Sequence, residues 1–193
     1  MKNRIWMIFI AIEAGLLLLA WGGGLFFHIG WWKNFHFYPW MWAGAALGAL
    51  LWGLAWLLFQ GLASRRIFHT RWMLDELLYP LAKDLNPAQI FLLALASGLA
   101  EECFFRGWLA PILGIFWANL IFALLHTGSR KLWFAGFWAG LCGLLFSELY
   151  RLTDSLGLVI FIHFIYNGLG LVYLSRFYHP KESSQKAGIS NPV

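Results

Sequence analysis

Six long runs of apolar residues, separated by short polar segments, dominate the hydrophobic pattern of the chain. They cover residues 5–27, 40–63, 88–105, 111–127, 132–149 and 156–175. Most of them approach the ~20 residues that an α-helix needs to cross a hydrocarbon core of ~30 Å. The pattern therefore predicts an all-α fold, a polytopic membrane helical bundle with about six transmembrane helices.

An amphipathic segment connects the second and third of these spans. Its charged side chains lie largely off one face, and leucines recur on that face at helical spacing: Leu74, Leu77, Leu78, Leu81 and Leu85. This pattern is typical of a helix that lies on the membrane surface, and Pro80 is expected to kink or divide it. Asn86 and Pro87 are residue types suited to an N-cap and a first helical position, so they are predicted to begin the third span.

The composition is that of an integral membrane protein with little chain left for a soluble domain. Of the 193 residues, 61% are hydrophobic and 12% are charged, whereas about a quarter of the residues of a soluble domain are charged. We therefore predict one membrane-embedded domain over residues 1–174. The polar segment 175–193 is predicted to be a disordered cytoplasmic tail, because it lacks a periodic apolar face.

The positive charge of the chain is interpreted as a signal of membrane topology. With the N-terminus inside, 11 of the 14 Lys and Arg residues fall in cytoplasmic segments, and only Lys33, Arg106 and Arg151 fall on the other side. Because positive residues in short loops set orientation, both termini are predicted to be cytoplasmic. The basic residues form no face with interleaved aromatics, so the expected partner is the membrane lipid bilayer and not nucleic acid.

Two acids and a base interrupt the third apolar run. A charged side chain at membrane depth costs roughly 2.5–3.5 kcal/mol on insertion scales, so such residues are usually present for chemistry or ion movement. Glu102 and Arg106 are four residues apart and share a helical face, so they are predicted to pair. Glu101 is rotated ~100° from Glu102 and is predicted to face a cavity, with Ser97 one turn earlier on the same face.

Further polar residues lie on the fourth and sixth spans. Asn119, Phe122 and His126 share one helical face, and His163 and Asn167 are again four residues apart. Because lipid cannot solvate them, the polar groups are expected to meet Glu101 in a shared aqueous cavity. A carboxylate and an imidazole can activate water, while further N–H donors can stabilise an oxyanion, and this combination suits amide hydrolysis. Cys103 and Cys142 are interpreted as buried packing residues.

Three motifs together resemble a known family of membrane proteases. Glu101-Glu102-x-x-x-Arg106, Phe122-x-x-x-His126 and His163-x-x-x-Asn167 occur in the order seen in the CPBP, or Abi, family of glutamate-type intramembrane proteases, which includes the Ras-converting type of CAAX prenyl endopeptidase. The resemblance covers residues 87–174. The first span, with Glu13-Ala14-Gly15, also looks like small bacterial members, including those related to myxosortases.

The resemblance implies a role for each residue of these motifs. Glu101 and His126 would hold and activate the attacking water, and His163 and Asn167 would stabilise the oxyanion. Glu102, Arg106 and Phe122 would be supporting residues. Catalysis in the family is regarded as independent of metals, so no cofactor is expected. The expected substrate is a membrane-associated peptide or protein, such as a C-terminal sorting signal or a lipidated tail, at a bacterial inner membrane.

Several alternatives stay open from the sequence alone. Glu101, His126 and His163 are ligand types that zinc accepts, so a metal-dependent protease is a second mechanism. A non-catalytic binding or immunity protein of the same fold is a different class of function, and a proton-coupled transporter is a third. Glu101 lies ~21 Å along the third span from the inner edge, a depth that favours access from the outer side.

Overall fold

The computed structural model describes residues 5–39, 41–65 and 67–180, and seven helices account for most of them. They are α1 (Ile5–Phe26), α2 (Met41–Ser64), α3 (70–82), α4 (Pro87–Leu113), α5 (Ile115–Thr127), α6 (Trp133–Thr153) and α7 (Leu156–Arg176). The described residues contain no strand, and the predicted all-α polytopic helical bundle is confirmed. Residues 181–193 of the predicted tail lie outside the described residues.

Five of the helices in the described ranges are long and apolar enough to cross a membrane, namely α1, α2, α4, α6 and α7. The predicted fourth span corresponds to α5, which has 13 residues. A helix of that length extends ~20 Å, less than the ~30 Å of a hydrocarbon core. Gly114 separates α4 from α5 with a φ of 84°, a conformation that glycine adopts at little cost.

The predicted boundary between the third and fourth spans was wrong, because α4 runs through Arg106 and Pro111 to Leu113. A π-helical turn, Cys103–Leu109, precedes this proline. Pro111 lacks an N–H and would crowd the carbonyl four residues earlier, and the wider turn relieves that conflict. A similar π-helical turn, Met73–Leu78, precedes Pro80 in α3, so that helix is not divided there. The start of α4 is as predicted, with Asn86 as N-cap in a capping box and Pro87 in the first turn.

α7 lies at the centre of the bundle and packs against α2 and α4, while α5 packs against α6 and α1 against α4. Glycines allow the closest of these approaches. A Cβ atom added to Gly48 of α2 would lie 2.7 Å from the Ile162 carbonyl oxygen of α7, and one added to Gly98 of α4 would lie 3.1 Å from the Ile160 carbonyl oxygen. Small residues at such crossings are typical of membrane helix interfaces, where packing drives association.

The two ends of the bundle are organised differently. At one end, the segment after α1 folds inward, so that Trp31 is buried and its Nε1–H donates to the Ala20 carbonyl at 3.0 Å. Ser155, at the start of α7, donates to the His36 carbonyl at 2.7 Å and closes the same end. At the other end, α3 packs against the segment after α7, where the Tyr178 hydroxyl donates to Asp75 at 2.6 Å.

Candidate active site

Three helices bring a carboxylate and two imidazoles together inside the bundle. Oε2 of Glu101 on α4 lies 3.9 Å from Nε2 of His126 on α5 and 3.9 Å from Nε2 of His163 on α7. That oxygen is buried and has no hydrogen-bond partner. A separation of 3.9 Å is too long for a direct hydrogen bond, but a single water molecule between two atoms at this distance can contact both of them. The residues predicted to share a site therefore lie close together.

The predicted pair of Glu102 and Arg106 forms in the interior of the bundle. Oε1 of Glu102 lies 3.0 Å from Nη1 of Arg106 and also 2.7 Å from Nδ1 of His163. Glu102 is 0% exposed and Arg106 is 1% exposed, so the surrounding protein keeps water away from both charges. Arg106 is accordingly a buried residue of α4, and the prediction that it lies beyond the third span was wrong.

Arg106 also joins α4 to the hairpin of α5 and α6 through contacts that the sequence did not indicate. Its Nη2 donates to the Gly143 carbonyl oxygen at 2.8 Å and to Asn119 Oδ1 at 3.4 Å. Its Nε donates to the Ser147 hydroxyl at 3.4 Å, and Asn119 Nδ2 donates to the same hydroxyl at 2.9 Å. Asn119 could have been suspected from its helical register with His126, whereas Ser147 carries no comparable signal.

The backbone of α5 fixes the orientation of His126. Its Nδ1 lies 2.9 Å from the Phe122 carbonyl oxygen, an acceptor, so Nδ1 carries the hydrogen. In a neutral ring Nε2 is then a free acceptor, and it is the atom that faces Glu101. The Phe122 ring lies beneath the Arg106 guanidinium at 4.9 Å and forms a cation–π contact with it.

Asn167 reaches the site from α7, one helical turn after His163. Its Nδ2 donates to the Ser97 hydroxyl at 2.8 Å, and Ser97 donates in turn to the Ala94 carbonyl at 3.3 Å. Ser97 therefore orients Asn167 and not Glu101, the residue it was predicted to accompany. One N–H of the Asn167 amide is used in this contact, and the second is left for a group in the cavity.

A cavity of about 540 Å³ begins at these residues and runs along the interior of the bundle. Its lining includes the start of α1, the end of α2 and the end of α7, together with the leucine stripe of α3 and of the turn that follows it, Leu74, Leu77, Leu78, Leu81 and Leu85. The predicted amphipathic face of α3 thus lines the cavity. The cavity leads toward the end of the bundle that carries α3, opposite to the end closed by Trp31. The distribution of Lys and Arg assigns α3 to the inner side, whereas the depth of Glu101 favours access from the outer side. The two arguments from the sequence therefore differ, and the side of access stays a prediction.

Across the three described ranges, no group of three or more His, Cys, Asp or Glu residues is arranged to hold a metal ion. Cys103 and Cys142 are buried and unpaired, as predicted for packing residues. Cys142 lines the cavity, whereas Cys103 packs in the central apolar cluster.

The five long apolar helices mark the chain as an integral membrane protein. The carboxylate that faces two imidazoles inside the bundle is a combination of groups suited to hydrolysis. Residues 83–169 match the family model of type II CAAX prenyl endopeptidase Rce1-like proteins, and the predicted family resemblance is thereby confirmed. The matched segment contains all three motifs, and the family implies a peptidase, a membrane-embedded hydrolase. Comparisons with curated proteins and with solved structures found no match.

Proposed function

We propose that this protein is a glutamate-type intramembrane endopeptidase that hydrolyses a peptide bond of a membrane-associated protein. The observation that carries the proposal is the position of Glu101 Oε2, 3.9 Å from Nε2 of both His126 and His163. The catalytic unit is the membrane-embedded part of residues 1–174, with its motifs in 87–174. The site is buried in the bundle and is connected to the surface by the cavity.

The first step of the proposed reaction is the activation of water by Glu101 and His126. A water molecule donates one hydrogen to Glu101 Oε2 and the other to His126 Nε2, the free acceptor of that ring. A lone pair of the water oxygen attacks the scissile carbonyl carbon, and the new C–O bond forms as a proton moves to Glu101. Collapse of the tetrahedral intermediate breaks the C–N bond, and the proton on Glu101 passes to the leaving amine.

His163 and Asn167 stabilise the oxyanion in this proposal. Because the His163 Nδ1 hydrogen is directed at Glu102, Nε2 donates only when the ring is an imidazolium. Glu102 is the counter-ion that stabilises the imidazolium form of His163 in an apolar site. The His163 donor of this proposal is therefore an imidazolium. The free N–H of Asn167 supplies the second hydrogen bond to the oxyanion.

The substrate proposed for this site is an apolar or lipidated C-terminal segment of a membrane protein or peptide. Such a chain suits a cavity lined mostly by apolar side chains of α1, α2, α3 and α7. With both termini cytoplasmic, as the distribution of Lys and Arg predicts, this cavity is reached from the cytoplasmic half of a bacterial inner membrane.

The decisive experiment compares the membrane proteomes of cells that produce the wild type and cells that produce Glu101→Gln. The expected result is one membrane protein or peptide that loses its processed C-terminus in the Glu101→Gln cells. Glu148→Gln is the matched control, because Glu148 is an exposed residue of α6 that pairs with Arg151 and does not belong to the candidate site. Wild-type processing in the Glu101→Gln cells would refute the proposed mechanism.

Two alternative functions give different results in the same system. A non-catalytic binding or immunity protein should retain its effect on cells after Glu101→Gln, with no change in any processed terminus. A metal-dependent protease that uses Glu101, His126 and His163 should lose activity with a chelator and regain it when zinc is added. A glutamate-type enzyme should keep its activity in the presence of the chelator.

The direction of the cavity can be tested by thiol labelling in sealed vesicles of both orientations. Cysteine is introduced singly at Ser64, at Lys33 or at Ala139, in a variant with both native cysteines changed to alanine. Ser64 and Lys33 are exposed at opposite ends of the bundle, and Ala139 lines the cavity. A membrane-impermeant thiol reagent should label the cysteines at positions 139 and 64 from the same side. Labelling of position 139 only from the side that labels position 33 would refute the proposed route.

A further inference from the structure

Glu13 is the only ionisable side chain of α1, and it faces the candidate active site. It is 8% exposed and lines the same cavity as Glu101, His126 and His163. Ile5 and Phe9 precede it at intervals of four residues and line the cavity too, so Glu13 is at the inner end of one helical stripe. A carboxyl group at membrane depth is costly, and such residues mark functional sites by default.

The cationic groups of the site are already paired with other residues. Arg106 and Nδ1 of His163 share Oε1 of Glu102, and the two Nε2 atoms face Glu101. In the parts of the chain that the structure describes, Glu13 forms no ion pair, and its Oε2 is buried without a hydrogen-bond partner. An ionised Glu13 would therefore be a third carboxylate without a counter-ion in an apolar surrounding.

We propose that Glu13 carries a proton in the resting protein and is a positioning residue, whose O–H hydrogen-bonds the Glu101 carboxylate through a water molecule of the cavity. A neutral Glu13 balances the charges of the site, since Arg106 and the His163 imidazolium then offset Glu101 and Glu102. The neutral acid also supplies a donor toward the buried Glu101 oxygen that has no partner among protein atoms. The inference rests on the proposed function, because the role of Glu101 as base belongs to that proposal.

Infrared spectroscopy of the purified protein tests the protonation state without any substrate. The carbonyl stretch of a neutral carboxylic acid is separate from the bands of ionised carboxylates, and the wild type should show it near neutral pH. Glu13→Gln should remove this band, whereas the exposed control Glu148→Gln should retain it. Absence of the band in the wild type, or its survival in Glu13→Gln, would overturn the proposal.

A second measurement uses the substrate protein identified in the proteome comparison, purified and added to the variants. Glu13→Gln keeps a neutral donor and should retain kcat within about twofold, whereas Glu13→Leu should lower kcat about tenfold with little change in KM, as for the loss of one hydrogen bond. Wild-type kcat in Glu13→Leu, or a loss in Glu13→Gln as complete as in Glu101→Gln, would overturn the proposal.

The two proposals fail in distinguishable ways. Hydrolysis by Glu101→Gln at the wild-type rate would refute the proposed function, and the infrared assignment of a neutral Glu13 would stand. Survival of the band in Glu13→Gln, together with loss of processing in Glu101→Gln, would refute the inference alone. The thermal unfolding midpoint of each variant is measured beside these experiments. A Glu13→Leu protein that does not fold leaves the infrared comparison of Glu13→Gln to decide.

Discussion

Replacement of Arg106 by methionine should be among the most destabilising changes in the bundle. The substitution keeps most of the side-chain volume but leaves Glu102, which is 0% exposed, with His163 as its remaining ionic partner. The Gly143 carbonyl oxygen also loses a donor at 2.8 Å. Removing one member of a buried ion pair costs about 3–5 kcal/mol. The cost is expected here because His163 alone would then offset the charges of both Glu101 and Glu102.

The magnitude can be attributed to the buried charge by a double-mutant cycle. Arg106→Met combined with Glu102→Leu removes both charges, so the double variant should recover a large part of the loss, with a coupling of about 2 kcal/mol or more. Arg151→Met is the matched control. Arg151 pairs with Glu148 at 2.8 Å, but more than half of the Arg151 side chain is exposed, and such pairs contribute about 0–1 kcal/mol.

The free energy of unfolding can be measured by denaturant titration in mixed micelles, with fluorescence of the 13 tryptophans as the signal. Stability of Arg106→Met within the range of Arg151→Met would refute the claim that Arg106 is a buried partner of Glu102. A double variant whose loss equals the sum of the single losses would refute the coupling between them.

Two further predictions concern other parts of the bundle. Burial, followed by the hydrogen bond to Asp75, raises the pKa of Tyr178 above its ordinary value of 10.0, so its contribution to stability is complete below pH ~10 and declines as the pH rises toward the folded-state pKa. The unfolding midpoint should therefore fall less steeply above pH ~10 in Tyr178→Phe than in the wild type, and equal slopes would contradict this assignment. Gly143→Ala should destabilise the bundle by about 1–3 kcal/mol, because its Cβ would lie 2.6 Å from Asn119 Oδ1, whereas Gly53→Ala, with nothing within 4 Å, should be neutral or stabilising. Denaturant titration of both alanine variants measures the difference, and equal effects would contradict the predicted crowding at Gly143.

The helices and the contacts within single helices were predictable from the sequence. Apolar length identifies a span without reference to its neighbours, and an i, i+4 pair such as Glu102 and Arg106 is fixed by helical geometry. The same local rules failed at the end of α4. The sequence pattern predicted a loop there, because Arg106, Gly107 and Pro111 fall within six residues. The partners that keep Arg106 inside the bundle, Gly143 and Ser147, come from another helix and leave no local signal.

Contacts between helices depend on depth and rotation, which the sequence fixes only weakly. Ser97 shares a face with Glu101, but it bonds Asn167, because α7 approaches α4 closely at Gly98. The leucine stripe of α3 fits two situations equally well, a helix on a lipid surface and a helix that faces an interior cavity. An apolar stripe indicates that one face of a helix is buried, but it does not indicate which part of the protein or membrane covers that face.

The continuity of α4 explains how Glu101 and His126 come to the same depth. From the predicted bounds, Glu101 would lie four residues, or ~6 Å, from the end of its span, and His126 fifteen residues, or ~22 Å, from the start of the next, so the two would not meet. In the structure the turn is at Gly114. Glu101 lies twelve residues before Leu113, or ~18 Å, and His126 lies eleven residues after Ile115, or ~16 Å, which are nearly equal depths. The buried pairing of Arg106 is therefore a condition for the site as well as a source of stability, since a helix that ended at Phe105 would separate the carboxylate from the imidazole.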